Sequence, residues 1–266
     1  MTKRLHGKVA IITGAGCVGP GWGNGRSMAY RFIEEGASVF AVDKDESSLD
    51  ETIEKCSAIG GEIKTHICDA TQSQSVEKMV KTCLEHFGKL DILVNNVGGS
   101  RKGGPVELSE EDWDSQIDYN LKTVFLGCKY SLPHMEAAGG GSIINIASTS
   151  GIRWSGSAQV GYAATKAGVI QLSRVVAVEY ASKKVRVNSI LPGQLHTPMV
   201  EARLAGQRTG GDVNALLEQR QARIPLGFMG DGRDTANAAV FLASEESRFI
   251  TGSEIVVDGG MSARCD

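Results

Sequence analysis

A glycine-rich stretch near the start of the chain constrains the fold more than any other feature. It reads GAGCVGPGWGNG, residues 14–25, with six glycines in twelve positions. The continuous apolar run VAIIT (9–13) precedes it, and RSMAYRFIEEG (26–36) follows with its apolar residues at helical spacing. A strand, a glycine loop and a helix in this order predict the unit at which a doubly wound sheet binds a dinucleotide, because glycines let phosphates approach the free N–H groups of the helix.

Further apolar strands alternate with helical segments along the rest of the chain. The predicted strands are SVFAVD, DILVNN, SIINIAS, VRVNSI and EIVVD, at 38–43, 91–96, 142–148, 185–190 and 254–258. Helices are predicted between strands, including roughly 112–137 and 160–182. The alternation predicts an α/β fold in which residues 1–266 form a single-domain doubly wound parallel sheet of the Rossmann type, with helices on both faces.

One segment interrupts this alternation. Residues 194–223 are polar and contain GQRTGG. A connection this long inside a compact domain is usually functional or mobile, so we predict a substrate lid here. The run LEQRQAR within it predicts a surface helix of that lid.

Composition excludes several classes of function. The net charge of −3 gives no electrostatic reason to expect a nucleic acid or an anionic membrane as partner. The first apolar run is too short to span a bilayer, and no small-residue cleavage site follows it. Six scattered cysteines without a CxxC pair indicate reduced thiols in a cytoplasmic protein. The five histidines have no metal-ligand spacing, so no metal site is predicted.

An acidic residue ends the second predicted strand. Asp43 lies eighteen positions after Gly25, the last glycine of the loop. A carboxylate there can accept hydrogen bonds from the adenosine ribose hydroxyls and would repel a 2′-phosphate. The sequence therefore predicts NAD rather than NADP as cofactor, although the adjacent Lys44 weakens that preference.

These features resemble the short-chain dehydrogenases/reductases, and the resemblance covers nearly the whole chain. The family's cofactor motif is TGxxxGxG, which Thr13, Gly14, Gly23 and Gly25 match with about five extra residues between them. The resemblance implies that Gly14, Gly23 and Gly25 cradle the pyrophosphate and that CVGPGW forms a bulge packed down by its tryptophan. Asn24 takes the place of the family's aliphatic residue, where its amide would contact the cofactor.

Other cofactor contacts are implied by the same resemblance. Asp69 is expected near the adenine, and Asn95 of the NNVG stretch at 95–98 would brace the sheet. Gly98 and Gly99 would let the adenosine lie against the strand end, and Asn96 is also expected to contact the cofactor. In PGQLHTPM at 192–199, Thr197 would hold the nicotinamide carboxamide and Pro192 would line the pocket of the ring.

Tyr162 and Lys166 carry the predicted chemistry. They stand four residues apart in YAATK and share one helical face. Oxidation of an alcohol requires a base for the hydroxyl proton, and a free tyrosine with a pKa of about 10 is a poor one. A neighbouring ammonium and an oxidised nicotinamide both favour the phenolate, which lowers that pKa. Both side chains are also expected to contact the cofactor.

Two further residues match the catalytic set of the family. Ser148 ends a predicted strand, fourteen residues before Tyr162, and would hold the substrate oxygen beside it. Asn120, in DYNLKTVF, resembles the asparagine that holds a water next to the lysine and completes a proton relay. The implied reaction interconverts a secondary alcohol and a ketone, with Tyr162 as general base or acid.

Substrate choice is expected to depend on SRKGGP (100–105), GIRWSGSAQ (151–159) and the lid. Four residues are predicted to line the substrate pocket: Gly99, Arg153, Trp154 and Gln159. Trp154 could form a flat apolar wall, and Arg153 could bind an anionic group or remain a solvated rim charge. The C-terminal TGSEIVVDGG resembles the family's last strand, which implies a homotetramer.

Two alternatives remain open at this stage. The long glycine loop is similar to that of the enoyl-acyl-carrier reductases, which reduce C=C bonds. That branch spaces its tyrosine and lysine further apart and has a tyrosine near the position of Ser148. The second alternative is a non-catalytic NAD-sensing regulator on the same fold, because fold does not determine function.

Overall fold

Seven strands form one parallel sheet in the computed structural model, which describes residues 3–265 apart from the side chain of Arg208. In chain order the strands are β1 (Val9–Thr13), β2 (Ser38–Asp43), β3 (Ile63–Ile67), β4 (Ile92–Asn95), β5 (Gly141–Ile146), β6 (Val185–Pro192) and β7 (Glu254–Val257). The spatial order is β3-β2-β1-β4-β5-β6-β7. The chain crosses over after β3 to place β4 beside β1, so a crevice opens at the carboxyl ends of these two strands.

Nine α-helices connect the strands within the part of the chain that the structure describes. They are α1 (Asn24–Glu34), α2 (Asp50–Ala58), α3 (Ser73–Phe87), α4 (Glu110–Ile117), α5 (Thr123–Ala137), α6 (Val160–Tyr180), α7 (Ala205–Arg208), α8 (Val213–Gln221) and α9 (Gly232–Ala243). Among residues 3–265, no helix is both long and apolar enough to cross a bilayer.

The central strands are buried on both faces, which explains their continuous apolar sequences. Ile11 of β1 pairs with Phe40 and Leu93, and all three belong to the cluster that packs against α3, α5 and α6. The next residue, Ile12, faces the opposite layer with Phe32 of α1. The alternation of side chains along each strand therefore divides the apolar residues between two cores, one on each face of the sheet.

The predicted fold class is confirmed, and the elements differ from the sequence prediction at two places. The strand Ile63–Ile67 was not predicted, because its side chains are partly or fully exposed at the sheet edge and it lacks a continuous apolar run. The helix predicted over 112–137 is interrupted by a π-helical turn at Asp118–Lys122, which separates α4 from α5.

The segment 194–223 is more regular than the sequence indicated. A π-helical turn at Val200–Leu204 leads into α7 and then α8. Val200, Ala205 and Leu216 form a small apolar cluster of their own, so the segment carries its own packing. The expected helix at its end exists, but Arg220 is buried there rather than solvated and donates a hydrogen bond to the main-chain oxygen of Leu195 at 3.1 Å.

Candidate active site

The glycine loop packs the first turn of α1 directly against the end of β1. A Cβ on Gly25 would lie 1.8 Å from the main-chain oxygen of Gly14, which leaves no room for any side chain. Gly14 itself has φ of 63°, a left-handed conformation that favours glycine. These two glycines therefore bring the N-terminus of α1 to the carboxyl end of the sheet.

The N-terminus of α1 has unsatisfied polar groups. Gly23 occupies the cap position, and no side chain among the described residues caps the first-turn N–H groups. The side-chain Oδ1 of Asn24 is buried and has no hydrogen-bond partner within residues 3–265. Free N–H groups and the positive end of the helix dipole favour an anion at this point.

The carboxylate of Asp43 is held at the end of β2 by backbone donors. Its Oδ2 accepts a hydrogen bond from the Gly16 N–H at 3.0 Å. Its Oδ1 accepts from the N–H groups of Lys44 at 2.8 Å and Asp45 at 3.2 Å. The Lys44 ammonium contacts Tyr119, 3.3 Å from its hydroxyl. The carboxylate of Asp43 therefore lies at the carboxyl end of β2 without an ionic partner among the described side chains.

The two asparagines at the end of β4 hold neighbouring segments in place. Asn96 donates from Nδ2 to the main-chain oxygens of Thr13 at 3.1 Å and Gly14 at 3.0 Å. Asn95 donates to Oδ1 of Asn145 at 2.9 Å. The amide protons of Asn96 hold the start of the glycine loop, and its predicted contact with the cofactor stays a prediction.

Three further predicted cofactor residues lie around the same edge of the sheet, at or after the ends of strands. Asp69 is exposed and accepts hydrogen bonds at Oδ1 from the N–H and the hydroxyl of Thr71, at 2.9 and 2.7 Å. Pro192 ends β6 and is buried, and Thr197 is half-buried before the second π-helical turn.

Lys166 reaches from α6 to the end of β5. Its Nζ donates to the main-chain oxygen of Ile146 at 2.7 Å and lies 5.7 Å from the ring centroid of Tyr162. The Lys166 side chain is buried, and this burial lowers the pKa of its ammonium to about 8. Tyr162, one helical turn earlier, is half-buried. The predicted tyrosine and lysine therefore share one side of α6.

Asn120 lies within the first π-helical turn, a feature often found at functional sites. Its Oδ1 accepts from the Gly99 N–H and its Nδ2 donates to the Gly99 oxygen, both at 3.0 Å. A Cβ on Gly98 would lie 2.7 Å from that Oδ1 and 3.1 Å from Nζ of Lys166. Asn120 and Lys166 thus approach the same point, and Gly98 is a glycine because they do.

Ser148 follows β5 at the same edge of the sheet. It is 8% exposed, and its Oγ accepts a hydrogen bond from the Ser150 N–H at 3.1 Å. The turn after it packs on α6, since a Cβ on Gly151 would lie 2.8 Å from the Ala167 nitrogen. The structure therefore brings Asn120, Ser148 and Lys166 to one edge.

A cavity of about 380 Å³ opens beside this edge. Its lining residues are Gly104, Pro105, Ser150, Arg153, Trp154, Ser155, Ser157, Ala158, Gln159, Val160 and Ala163. Three of the four predicted pocket residues are among them. Gly99 is not among them, and its N–H donates to Oδ1 of Asn120. Arg153 donates from Nε to the Ser262 oxygen at 3.2 Å, and Gln159 donates to Ser150 and Ser155, both at 2.7 Å.

Sequence reasoning missed Arg26, the residue directly after the last glycine of the loop. Its side chain is 2% exposed and donates hydrogen bonds to loop carbonyl oxygens. Trp22, which was expected to pack the bulge down, lies edge-on to Tyr30 at 5.2 Å, and the cations of Lys55 and Arg233 lie over its ring. The sequence did contain a signal for this contact. Arg26 occupies a position on the buried, mainly apolar side of α1, and Glu51 in α2 is an acidic residue that could pair with it. Among residues 3–265, no three His, Cys, Asp or Glu side chains cluster as metal ligands.

Comparison with known proteins identifies close relatives. A family model described as Enoyl-(Acyl carrier protein) reductase matches residues 20–262. A solved short-chain dehydrogenase/reductase from Burkholderia xenovorans has 64% sequence identity and a TM-score of 0.96, covering 99% of this chain and 100% of its own.

Two curated relatives carry named activities. The 3-oxoacyl-[acyl-carrier-protein] reductase FabG of Thermotoga maritima is 36% identical, covering 97% of this chain and 99% of the relative. The 2,5-dichloro-2,5-cyclohexadiene-1,4-diol dehydrogenase LinX of Sphingobium indicum is 37% identical, covering 98% and 99%. The relatives thus include a reductase and a dehydrogenase.

Proposed function

Because the chain belongs to the short-chain dehydrogenases/reductases, which are oxidoreductases that use nicotinamide cofactors, we propose that it is an NAD-dependent enzyme that interconverts a secondary alcohol and a ketone. One observation carries the proposal. Lys166 is buried with its Nζ 5.7 Å from the Tyr162 ring, at the sheet edge where Ser148 and Asn120 also lie. This arrangement suits removal of a hydroxyl proton at the carboxyl edge of a Rossmann-type sheet.

The residues around the glycine loop fit a dinucleotide. The uncapped N-terminus of α1 would bind the pyrophosphate, and the close contact between Gly14 and Gly25 keeps side chains out of its way. The buried and unpartnered Oδ1 of Asn24 could accept a hydrogen bond from the cofactor. Asp43 would bind the adenosine ribose, and its charge supports NAD over NADP.

The bound cofactor would supply the hydride acceptor for oxidation, or the hydride donor for reduction. Tyr162 removes the proton from the alcohol oxygen, while the Ser148 hydroxyl donates a hydrogen bond to the same oxygen. Lys166, with a pKa of about 8, is mostly protonated at neutral pH, and its positive charge favours the phenolate of Tyr162. In the reverse direction Tyr162 returns the proton to the ketone oxygen.

Asn120 supports the proton relay in this proposal. Its Oδ1 accepts a hydrogen bond from the Gly99 N–H, and a carbonyl oxygen has a second lone pair. That lone pair could hold a water between Asn120 and Lys166, because both side chains approach the point where Gly98 lacks a Cβ. The water would take a proton from Lys166 toward solvent, and Lys166 would in turn receive the proton that Tyr162 removed from the alcohol.

The substrate is proposed to be a secondary alcohol with an apolar ring or chain. Trp154, Pro105 and Val160 supply apolar surface to the cavity. The curated relatives act on an acyl chain and on a cyclic diol, which are both compatible with such a lining. Residues 194–223 are proposed to close over this cavity as a lid, since Gln194 and Arg223 both donate to the Ser155 oxygen, at 3.0 and 3.2 Å.

A turnover screen with NAD and NADH against secondary alcohols and ketones tests the function. The Tyr162→Phe variant should lose at least ~10²-fold in kcat, because it has no proton to exchange. Tyr180→Phe, at the other end of α6, is the matched control and should retain activity. If Tyr162→Phe turned over as fast as wild type at saturating NAD and substrate, the assignment of Tyr162 would be wrong.

Reduction of a C=C bond is a second candidate, because the matching family model is described as an enoyl reductase. The four-residue spacing of Tyr162 and Lys166 and the serine at position 148 favour the alcohol reaction instead. NADH consumption with an α,β-unsaturated thioester but with no ketone would favour the enoyl reaction. Tight NAD binding without turnover of either class would favour an NAD-sensing regulator.

A cytoplasmic homotetramer is proposed for the assembly. Val178 on α6 is 79% exposed, Phe125 on α5 is 51% exposed and Phe249 is fully exposed, although all three are apolar. Strand β7 is also the last strand of the sheet, so within the described residues its outer edge has no neighbouring strand. Light scattering of the purified protein would test the tetramer, and a monomer at micromolar concentration would contradict it.

A further inference from the structure

The enlarged glycine loop is attached to α2 by a buried cation. Arg26 donates from Nη1 to the main-chain oxygens of Gly21 at 2.8 Å and Gly19 at 3.2 Å. The same Nη1 lies 2.5 Å from Oε2 of Glu51, and Nε donates to the Thr52 hydroxyl at 3.1 Å. Only 2% of the Arg26 side chain is exposed.

The partners of Arg26 on α2 also bind the loop themselves. Oε1 of Glu51 accepts a hydrogen bond from the Gly21 N–H at 3.4 Å. The Thr52 hydroxyl donates to the Ala15 oxygen at 3.0 Å. The loop is therefore held at its start and across its inserted part, and every one of these contacts is made by protein groups.

The charge of Glu51 is maintained within this network. Burial acts to raise the pKa of its carboxyl group, but the Gly21 N–H and the positive charges of Arg26 and Lys55 outweigh it and keep the pKa below its usual value. A buried guanidinium requires a paired carboxylate and satisfied donors, so the ionised Glu51 is what allows Arg26 to stay inside.

The opposite side of the loop contacts the segment after β6. Cβ atoms on Gly19 and Gly21 would each lie 3.6 Å from the Pro198 side chain. The Gly232 N–H at the start of α9 donates to the Trp22 oxygen at 3.3 Å. The loop therefore lies between α2 and the start of the segment 194–223. Arg26 and Glu51 hold the side of the loop that contacts α2.

We propose that Arg26, paired with Glu51, is a positioning residue that pre-forms the enlarged loop for dinucleotide binding. The proposal rests on the cofactor site proposed above. About five extra residues between the phosphate-binding glycines add conformational freedom that a bound dinucleotide would otherwise have to remove. Contacts made before binding remove that freedom in advance, so they increase affinity without touching the ligand.

The test compares Arg26→Met with Arg31→Met. Arg31 lies on the same helix, pairs with Glu34 and Glu35 and donates to Asn237 of α9, so its loss removes ion pairs and a hydrogen bond of a half-buried arginine that does not contact the loop. Direct calorimetric titration with NAD should give at least ~10-fold weaker binding for Arg26→Met and unchanged binding for Arg31→Met. Hydrogen–deuterium exchange of residues 14–23 in the cofactor-free protein should accelerate only in Arg26→Met.

Two further variants separate positioning from general stability. Arg26→Lys keeps the charge but not the fork of donors, so its NAD affinity should lie between wild type and Arg26→Met. Glu51→Gln keeps the shape and should weaken NAD binding while its kcat at saturating NAD stays within about twofold of wild type. If Arg26→Met does not fold, the Glu51→Gln affinity decides the question.

The proposal would be overturned if a folded Arg26→Met or Glu51→Gln protein bound NAD as tightly as wild type and its loop exchanged hydrogen at the wild-type rate. A loss of about tenfold in kcat with unchanged NAD affinity in these variants would also overturn it, because it would indicate a role in the chemical step. Wild-type protein that binds NAD but turns over no alcohol or ketone would contradict the proposed reaction, and the titrations would still decide the role of Arg26. Wild-type protein that binds no dinucleotide would overturn both.

Discussion

Lys166 donates a hydrogen bond from Nζ to the main-chain oxygen of Ile146 at 2.7 Å, which joins the middle of α6 to the last residue of β5. This contact places a buried positive charge under the ring of Tyr162. Since burial is the cause of the lowered lysine pKa, the charge has a cost for folding, and that cost depends on pH.

The first prediction follows from this pKa. In the cofactor-free folded protein the pKa of Lys166 is about 8, against 10.5 for an exposed lysine. Between these values the unfolded chain binds more protons, so the free energy of unfolding should rise with pH through this window, and the cost should be fully present below pH 8. In urea unfolding, the free energy of unfolding of wild type should therefore rise relative to that of Lys166→Met by up to about 3 kcal/mol as the pH rises. A constant difference across this range would show that the pKa of Lys166 is not depressed.

The second prediction concerns cofactor choice at Asp43. Asp43→Asn keeps a side-chain oxygen that can accept the Gly16 N–H, so the loop should stay in place while the negative charge is lost. The ratio of kcat/KM for NAD to that for NADP should fall at least ~10-fold, because a 2′-phosphate no longer meets a carboxylate. Asp45→Asn, a neighbouring exposed acid in the same turn, should leave the ratio unchanged. An equal response of both variants would assign the effect to general surface charge.

The third prediction compares two glycines of the site. Gly25→Ala would place a methyl group 1.8 Å from the Gly14 oxygen, so the backbone of the loop must move. It should cost about 1–3 kcal/mol in urea unfolding and abolish NAD binding. Gly99→Ala meets nothing within 4 Å and should change the stability by less than about 0.5 kcal/mol. NAD binding by Gly25→Ala at wild-type strength would mean that the cofactor does not use this end of the loop.

The fourth prediction concerns the substrate cavity. Trp154 lines it and is 76% exposed, so Trp154→Ala should not alter the stability measurably. The KM for an apolar alcohol should rise about tenfold while the KM for NAD stays constant, because the variant removes contact area for the substrate alone. Trp113→Ala on α4 serves as the control, since Trp113 lies outside the lining. Parallel changes in both KM values would place Trp154 in the cofactor site instead.

Much of the fold was readable from local pattern. The strands Val9–Thr13 and Ser38–Asp43 were predicted with their observed bounds, because strands buried on both faces are continuously apolar along their centres. The edge strand Ile63–Ile67 escaped prediction because only its backbone pairing with β2 makes it a strand, and that pairing leaves no periodic trace in its side chains. The π-helical turn at Asn120 was not predicted either, because its residues continue the helical pattern of the segments on both sides.

The sequence by itself determined the alternation of strands and helices that forms a doubly wound sheet, the glycine loop and the turn-spaced pair Tyr162 and Lys166. Each of these is a pattern of residues that are close together in the chain. Only the tertiary structure decided that Lys166 is buried against Ile146, that Asn120 closes on Gly99 and that Arg26 is paired with Glu51. Those contacts join residues that are distant in the chain, and burial, charge and hydrogen bonding between such residues arise only when the sheet and its two helical layers have packed.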